Sequence, residues 1–532
     1  MATVFLVNNS IAKFSVDQNV SLLAGLQGNG IYVAAICGER GTCGKCMVRV
    51  LSGFLPVTPS DKNYFTNEEL QAGWRLACMA YPAEDITIEI PQSSESRFSV
   101  VDSFGDIPCS SHGSTSEHSH AVAIDIGTTT LGFALVHVHS GEIIARYSVV
   151  NRQREYGGDV ITRIQKANEG SLELLGQCIR TQLVQGIASL CAVAKANAKA
   201  NAKANAQDAA NICTIAIAGN TVMLHLLMGL SCQTLGQAPF TPVTVDMISM
   251  DYRELFRDDG IALVNAQCSV IILPGVSTYV GADITAGLYF IDILKHTTAV
   301  GFIDIGTNGE IALFNNGTMY CTATAAGPAF EGGNILWGTG SVPGAISRVQ
   351  CMNGIFSITT IAGEPPIGIC GSGVVDAVSE CLKCGYIDPS GRFTDTVGKN
   401  GIFLAQSPDK RDIILCQKDV RELQLAKSAI RSGFDALLHH AGIGYDAIQT
   451  LYIAGGFGFN LDMDSAARIG LIPPALLSKV TLIGNSALGG AVKYLVNSDS
   501  NNAVNMIIKR LEEFSLPDDV YYNEQFIENI RF

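Results

Sequence analysis

The chain lacks a basic surface. Its 35 Lys and Arg are outnumbered by 49 Asp and Glu, giving a net charge of −14 and a pI near 5.1. No basic run offers phosphate neutralisation, which excludes nucleic acid as the main partner. Long apolar runs are also missing: mean hydropathy is slightly positive at +0.26, yet no uncharged stretch approaches the roughly 20 residues that a spanning helix needs. The opening MATVFLVNNS has no positive segment ahead of a helical apolar block, so it does not read as a signal peptide. These absences predict a cytoplasmic protein that uses neither membrane nor nucleic acid. Cysteine is not scarce, with 16 in all, but most stand singly in apolar strands and helices (Cys178, Cys191, Cys213, Cys232, Cys268), as reduced core thiols do. At 532 residues the chain is too long for one core, and two to four domains are expected.

Two stretches echo each other. AVAIDIGTTT at 121–130 and VGFIDIGTNGE at 300–310 each run from an apolar strand into an acid, a glycine and small polar residues, and alternating strands follow both. A polyphosphate with its metal ion needs backbone N–H groups and hydroxyls at a tight turn, a glycine for close approach, and a carboxylate for hydrated Mg2+. Asp125 and Asp304 suit the carboxylate role. Thr128, Thr129, Thr130, Thr307 and Asn308 suit the donor role, with Gly127, Gly306 and Gly309 giving the phosphates room. A third element, LYIAGGFGFN at 451–460, carries a strand into Gly455, Gly456 and Phe457, where an adenine would lie against bare backbone. In this order the motifs resemble those of the actin, sugar kinase and heat-shock ATPase superfamily. The resemblance implies a duplicated actin-like (RNase H-like) domain closing on ATP.

The first 91 residues read differently. Thr3–Val16 is expected to form a hairpin, and a short helix capped by Ser21 follows. Next comes CGERGTCGKC at 37–46, a loop with too few large side chains to fold by burial. Its Cys37, Cys43 and Cys46, in C-x5-C-x2-C spacing with Cys78 farther on, match a [2Fe–2S] ferredoxin loop and resemble the vertebrate-type ferredoxins. Zinc, which also takes four thiolates, is the alternative occupant. A β-grasp ferredoxin-like domain over 1–91 is implied, followed by a Ser- and His-rich flexible linker over 92–120 in which His112, His118 and His120 are expected to be solvated.

The ATPase region is expected to divide into halves at 121–298 and 299–532. In the first, His225 is read as a packed core histidine, and AKANAKANAKANAQDAA at 194–210 as a solvated helix extension. Asp283 is either a third cleft carboxylate or an ordinary helix cap. In the second, Glu331 is the single charge in TATAAGPAFEGGNI. The helix over 418–438 carries a capping box at Asp419 and Glu422 and an apolar face of Val420, Leu423, Ala426, Ile430, Phe434 and Leu437. A last helix within 480–495 precedes a polar tail.

As a set, CGERGTCGKC with Cys78, DIGTTT, PGVSTYVGAD, DIGTNGE, ATAAGPAFEGGNI, GICGSG, QKDVRELQLAKSAI and AGGFG resemble the reductive activators of corrinoid proteins over nearly the full length. The resemblance implies an α+β and α/β multidomain protein that takes electrons from an external low-potential donor. It would return Co(II) corrinoid to Co(I) on a partner corrinoid protein with ATP and Mg2+, as a homodimer. Lifting one electron by about 250 mV costs roughly 6 kcal/mol, within reach of a nucleotide cycle. Two other readings stay open: a small-molecule kinase, in which a cleft carboxylate serves as base, and a nucleotide-gated redox clamp without turnover.

Overall fold

A computed structural model describes residues 2–7, 13–29, 31, 33, 39–41, 44–91, 104, 120–200, 212–257, 264–398, 401–456 and 461–532. The alternating apolar residues of the N-terminal segment build a small mixed sheet from β1 (Ala2–Leu6), β2 (Lys13–Val16), β3 (Met47–Ser52), β4 (Trp74–Leu76) and β5 (Ile86–Glu89), in the order β2-β1-β5-β3-β4. β1 pairs antiparallel with β2, as the hairpin reading requires, and parallel with β5. Ser21 caps the helix Leu22–Gly28 by accepting from Ala24 N at 3.1 Å. Leu22, Leu23 and Leu26 of that helix are fully buried against the sheet.

Two larger sheets follow, and they share a plan. The first holds β6 (His120–Ile126), β7 (Thr130–His137), β8 (Ile143–Val150), β9 (Ile212–Gly219), β10 (Ile248–Asp251) and β11 (Val264–Ile272), in the order β10-β11-β9-β6-β7-β8. The second begins with β12 (Ala299–Ile305), β13 (Gly309–Asn315) and β14 (Thr318–Thr324). A three-stranded sheet of β15 (Ala345–Met352), β16 (Ile355–Thr360) and β17 (Gly368–Ile369) and a hairpin of β18 (Ile402–Gln406) and β19 (Asp412–Leu415) are inserted there. The chain then adds β20 (Ile448–Ala454), β21 (Val480–Gly484) and β22 (Leu511–Glu513), so that the second large sheet runs β21-β20-β12-β13-β14-β22.

In each large sheet a three-strand antiparallel meander is extended by parallel strands beside its first member: β6 pairs β9 as β12 pairs β20. The duplication expected from the two Asp-Ile-Gly-Thr stretches is therefore present in the topology. Both first strands are apolar on either face because helices cover both faces of the sheet. One such cover is the helix Gln417–His440, whose Val420, Leu423, Ala426, Ile430, Phe434 and Leu437 are all buried. Each large side chain among them contributes about 1.5–3 kcal/mol by leaving water.

Four expectations are corrected. The capping box of Gln417–His440 lies one turn earlier than Asp419 and Glu422: Asp419 Oδ2 accepts from Cys416 N at 2.9 Å, and Glu422 bonds Asn334 instead. The C-terminal stretch is no simple polar tail, because helix Ser500–Arg510, strand β22 and helix Val520–Glu528 all follow the helix Ser486–Val496. Ser428 of the long helix donates to Phe526 O at 2.5 Å, tying Val520–Glu528 down. His120 is not solvated. It starts β6, is buried, and meets His137 edge-on. Finally, within 92–120 Phe104 is anchored, forming a bridge to Gly484 and packing edge-on against Phe290 beneath Arg146. His112 and His118 lie outside the described residues.

Candidate functional site

The two Asp-Ile-Gly-Thr turns open into one cleft, lined from the first half by Asp125, Gly127, Thr128, Thr129, Thr130, Asn220 and Asp283. The second half contributes Asp304, Gly306, Thr307, Asn308, Glu310, Glu331, Gly455, Gly456 and Asn485. In the first turn Gly127 N–H donates to Thr130 O at 2.9 Å; in the second, one residue shorter, Gly306 N–H donates to Asn308 O at 3.0 Å.

The first turn is braced from behind. Asn151 Nδ2 donates to Gly127 O at 2.9 Å, Arg163 Nη2 to Thr128 O at 2.5 Å and Asn151 N to Thr129 O at 2.9 Å. Three consecutive carbonyls are thereby turned away from the cleft, which suits a turn meant for an anion. Arg163 is wholly buried, and desolvation followed by the nearby Arg154 charge lowers its pKa to about 9.

Carboxylates crowd the centre. Asp125 and Asp304 end β6 and β12, each partly exposed to the cleft, and Glu310 stands directly across the β12–β13 ladder from Asp304. Burial, opposed by the Asn485 hydrogen bond and reinforced by the charge of Asp283, pushes Asp125 up to about 7. Burial and then the charges of Asp283, Asp125 and Glu331 push Asp304 up to about 8. Asp283 rises to about 6 through burial, and Glu310 is driven well above the usual carboxylate range by burial and then by the charges of Asp283 and Asp304. Such a concentration of negative charge is a site that gains from a cation. Of the two roles left open for it, Asp283 takes the cleft position: it lines the cleft and accepts from Ile284 N at 2.9 Å within the first turn of the helix Ala282–Phe290, whose cap is Gly281.

Glu331 joins the two halves. Its Oε2 accepts from Thr129 Oγ1 at 2.9 Å and from Thr307 Oγ1 at 2.6 Å. The residues that sequence reasoning missed are Glu310, Asn220 and Asn485. Both asparagines follow a glycine at a strand end and cap a helix, in Gly219-Asn220-Thr221 and Gly484-Asn485-Ser486. Each also reaches a residue of the first Asp-Ile-Gly-Thr stretch, Asn220 Nδ2 to Thr128 Oγ1 at 3.1 Å and Asn485 Nδ2 to Asp125 Oδ2 at 2.9 Å. The repeated Gly-Asn-Thr/Ser after an apolar strand is the signal that would have found them.

Gly455 continues the strand beside Asp304 with φ +92°, and a Cβ there would stand 2.4 Å from Ile305 O and 2.7 Å from Asp304 Oδ1. Gly309 differs from its expected place: it does not line the cleft, and its Cα faces Ile430 and Thr324 in the core. Phe457 lies outside the described residues. His225 is fully buried, bonded to Thr221 O and accepting from Val243 N, as a packed histidine.

Of the four clustered cysteines, Cys46 and Cys78 are described, and Cys37 and Cys43 lie outside the described residues. The two described thiols are buried 3.2 Å apart, and Ala77 N donates to Cys46 O at 2.8 Å, fixing the approach of the two segments. Gly41 and Gly44 sit in the left-handed region, and a Cβ on Gly44 would strike the Tyr64 ring at 2.4 Å. Paired inward thiols on a glycine-dependent loop fit an iron–sulfur cluster. This domain is not held a linker's length from the ATPase region. Lys45 Nζ donates to Ile335 O and Gly338 O, both at 2.7 Å, and Arg411 bonds Glu69 at 2.9 Å.

Comparison with known proteins agrees with this geometry. A family model described as the C-terminal domain of RACo, the ASKHA domain, matches residues 299–532; the RACo middle region matches 120–296; a 2Fe-2S iron-sulfur cluster binding domain matches 5–83. The corrinoid activation enzyme RamQ of Eubacterium limosum is 33% identical over 434 residues, covering 78% of this chain and 70% of that protein. The Co(II) methylated amine-specific corrinoid protein reductase of Methanosarcina barkeri is 24% identical over 426 residues, covering 74% and 73%. A solved structure, the reductive activator for corrinoid, iron-sulfur protein, superposes with a TM-score of 0.68 at 28% identity, covering 100% of this chain and 98% of that one. With a cysteine-bearing β-grasp domain on a duplicated nucleotide-type cleft, this chain belongs to the reductive activators of corrinoid proteins.

Proposed function

We propose that the protein couples ATP hydrolysis to the passage of one electron from its N-terminal domain to a corrinoid protein, reducing inactive Co(II) to Co(I). The observation that carries the nucleotide half of this reading is that Thr129 and Thr307, one from each phosphate turn, converge on Glu331 in a single carboxylate-rich cleft. The redox half is supported by the Cys46–Cys78 pair and by the corrinoid partners named for the relatives.

Cys37, Cys43, Cys46 and Cys78 would hold the [2Fe–2S] cluster, which supplies one-electron chemistry near about −400 mV when bound. In the cleft, Asp125 and Asp304 would orient the water shell of Mg2+ and the attacking water, since Mg2+ keeps most of its waters and takes one or two carboxylates. Thr128, Thr129, Thr130, Thr307 and Asn308 would donate to phosphate oxygens, with Gly127 and Gly306 leaving the backbone accessible. Gly455, Gly456 and Phe457 would face the nucleoside. Glu310, whose carboxyl is pushed well above the usual range by burial and then by the charges of Asp283 and Asp304, would line the same end of the cleft.

The same reading divides the chain into a cluster domain at 1–91, a linker at 92–120 and ATPase halves at 121–298 and 299–532. It places the protein in the cytoplasm as a homodimer fed by an external low-potential donor. Among the described residues no helix is long and apolar enough to cross a membrane.

The test begins with visible absorption and EPR spectra of anaerobically purified protein. ATP and a corrinoid protein are then added, and Co(I) absorbance is expected to grow only when ATP and reduced activator are both present. Co(I) formation at an equal rate without ATP would overturn the coupling. Hydrolysis that the corrinoid protein does not stimulate would favour the clamp without turnover.

A further inference from the structure

Lys45 sits between Cys43 and Cys46 in the sequence, yet its ammonium is held by the ATPase region. It donates to Ile335 O and Gly338 O at 2.7 Å and reaches Leu336 O at 3.4 Å. These carbonyls belong to a tight turn braced from below, where Leu336 N donates to Asp419 Oδ1 at 2.7 Å. The Asp419 carboxylate is fully buried and feels the Lys45 charge. Carbonyl oxygens over a buried carboxylate make a receptor for a cation.

The contact continues around Arg411, which bonds Glu69 of the cluster domain at 2.9 Å. Its guanidinium lies 4.8 Å from the ring centres of both Trp74 and Trp337, one from each side of the contact. These are the two tryptophans of the sequence. A second contact falls on the other half, where Gln27 Nε2 donates to Glu155 O at 3.3 Å. The cluster domain therefore touches both halves.

Each contact is a short step from a phosphate turn. Glu155 closes the helical turn Arg152–Glu155 that begins beside Asn151, whose side chain and N–H hold the first turn. Ile335 lies four residues past Glu331, whose carboxylate is bonded to Thr129 and Thr307 where phosphates would enter. A polyphosphate taking those hydroxyls must displace Glu331, because two anions cannot share the donors without like-charge repulsion.

We propose that the turns Glu331–Gly338 and Arg152–Glu155 form a docking face for the chain's own cluster domain, and that nucleotide in the cleft releases the domain by displacing Glu331. This rests on the reading of the cleft as an ATP site. Docked, Lys45, beside Cys46, is held against the ATPase region; released, that edge of the cluster domain is open to an external partner. Binding at the cleft and docking at the turn then oppose each other, and by linkage the docked domain weakens nucleotide binding by the same factor.

The test uses the full-length, cluster-loaded protein under anaerobic conditions, with binding of Mg2+–ATPγS followed by calorimetry. Tryptophan emission reports the contact directly, since both tryptophans lie in it, and small-angle scattering reports domain separation. The analogue is expected to shift emission to longer wavelength and to increase the radius of gyration. Lys45→Ala, with iron content checked, is expected to show both changes without nucleotide and to bind the analogue more tightly than wild type. Arg411→Ala, on the ATPase side, should also expand the molecule by scattering if Lys45→Ala loses its cluster.

Calorimetric binding with emission and radius unchanged would overturn the release step. A loaded Lys45→Ala protein with wild-type emission and radius would overturn the docking face itself. If no binding heat is found, the ATP reading fails and the release step fails with it, while the Lys45 variant still decides the docking face.

Discussion

Asn485 holds Asp125 from the far end of the sequence: its Nδ2 donates to Asp125 Oδ2 at 2.9 Å, while its Oδ1 accepts Leu488 N at 2.8 Å. One side chain thus caps the helix Ser486–Val496 and orients a carboxylate 360 positions earlier.

Removing that hold should hurt hydrolysis more than folding. Partners that orient a metal-site carboxylate typically cost 10–100-fold when lost, and Asn485→Ala is expected to lower the ATPase rate by about that factor. Losing the cap costs about 1 kcal/mol besides. Asn485→Ser retains capping capacity without reaching Asp125, so it should recover the melting temperature but not the rate. Recovery of both would show that Asp125 needs no orientation.

Asp304→Asn keeps size and hydrogen bonding while deleting a charge. ATP hydrolysis and Co(II) reduction are expected to fall together, with the absorption spectrum and midpoint potential of the cluster unchanged. Normal corrinoid reduction with hydrolysis abolished would mean that nucleotide acts through binding alone.

The same variant has a pH signature. The Asp304 carboxyl is raised from an ordinary 3.8 to about 8 in the folded protein, so its ionisation opposes folding. That cost is absent below the unfolded value, grows as pH rises, and levels off above the folded value. In nucleotide-free protein Asp304→Asn should therefore melt close to wild type at pH 4 and above it at pH 8.5. The gain would grow by at most about 1.4 kcal/mol per pH unit between those values. Thermal melts at four pH values read this directly, and a gain that shrinks with rising pH would contradict the assignment.

Cys78→Ala should abolish the EPR signal of the reduced protein and leave ATP binding intact, because the thiol pair lies within the separate core of the N-terminal domain. Unchanged iron content would remove Cys78 from the ligand set.

Gly455→Ala places a methyl 2.4 Å from Ile305 O at a left-handed backbone position. The nearest atom is a backbone carbonyl that cannot swing aside, and the next is Asp304 Oδ1 at 2.7 Å, so β12 and the Asp304 side chain must both shift. Nucleotide affinity is expected to fall at least tenfold in a titration, with melting lowered by about 1–3 kcal/mol.

Much of this site was legible because it rests on short-range chemistry: the strand-acid-glycine-hydroxyl runs reveal Asp125, Asp304 and the threonines. Asn485 was not legible as a partner of Asp125, since a contact across 360 positions leaves no periodic trace. Glu331 was visible as a lone charge among small residues, but not as the acceptor shared by Thr129 and Thr307. Cys416 hid the true start of its helix, because cysteine is not among the usual capping residues. The C-terminal helices were missed because Ser500–Arg510 fully buries only Ser500, Val504 and Ile507 and Val520–Glu528 fully buries no residue, and the three-residue β22 is too short to show alternation. The interdomain contact rests on Lys45, Glu69 and Arg411, types that read as solvated surface wherever they occur.

The anchoring of Phe104 sets a leash. Thirteen peptide links separate Pro91, the last described residue of the cluster domain, from Phe104, which is pinned between Phe290, Arg146 and Gly484. Fully extended, that much chain reaches about 45 Å. While the pin holds, Pro91 stays inside a sphere of that radius around Phe104, and a cluster domain freed from the ATPase region can deliver its electron no farther out than its own width beyond that sphere. A corrinoid protein must therefore present its cobalt within that bounded zone, and lengthening the chain between Pro91 and Phe104 would enlarge the zone while diluting the cysteine loop within it.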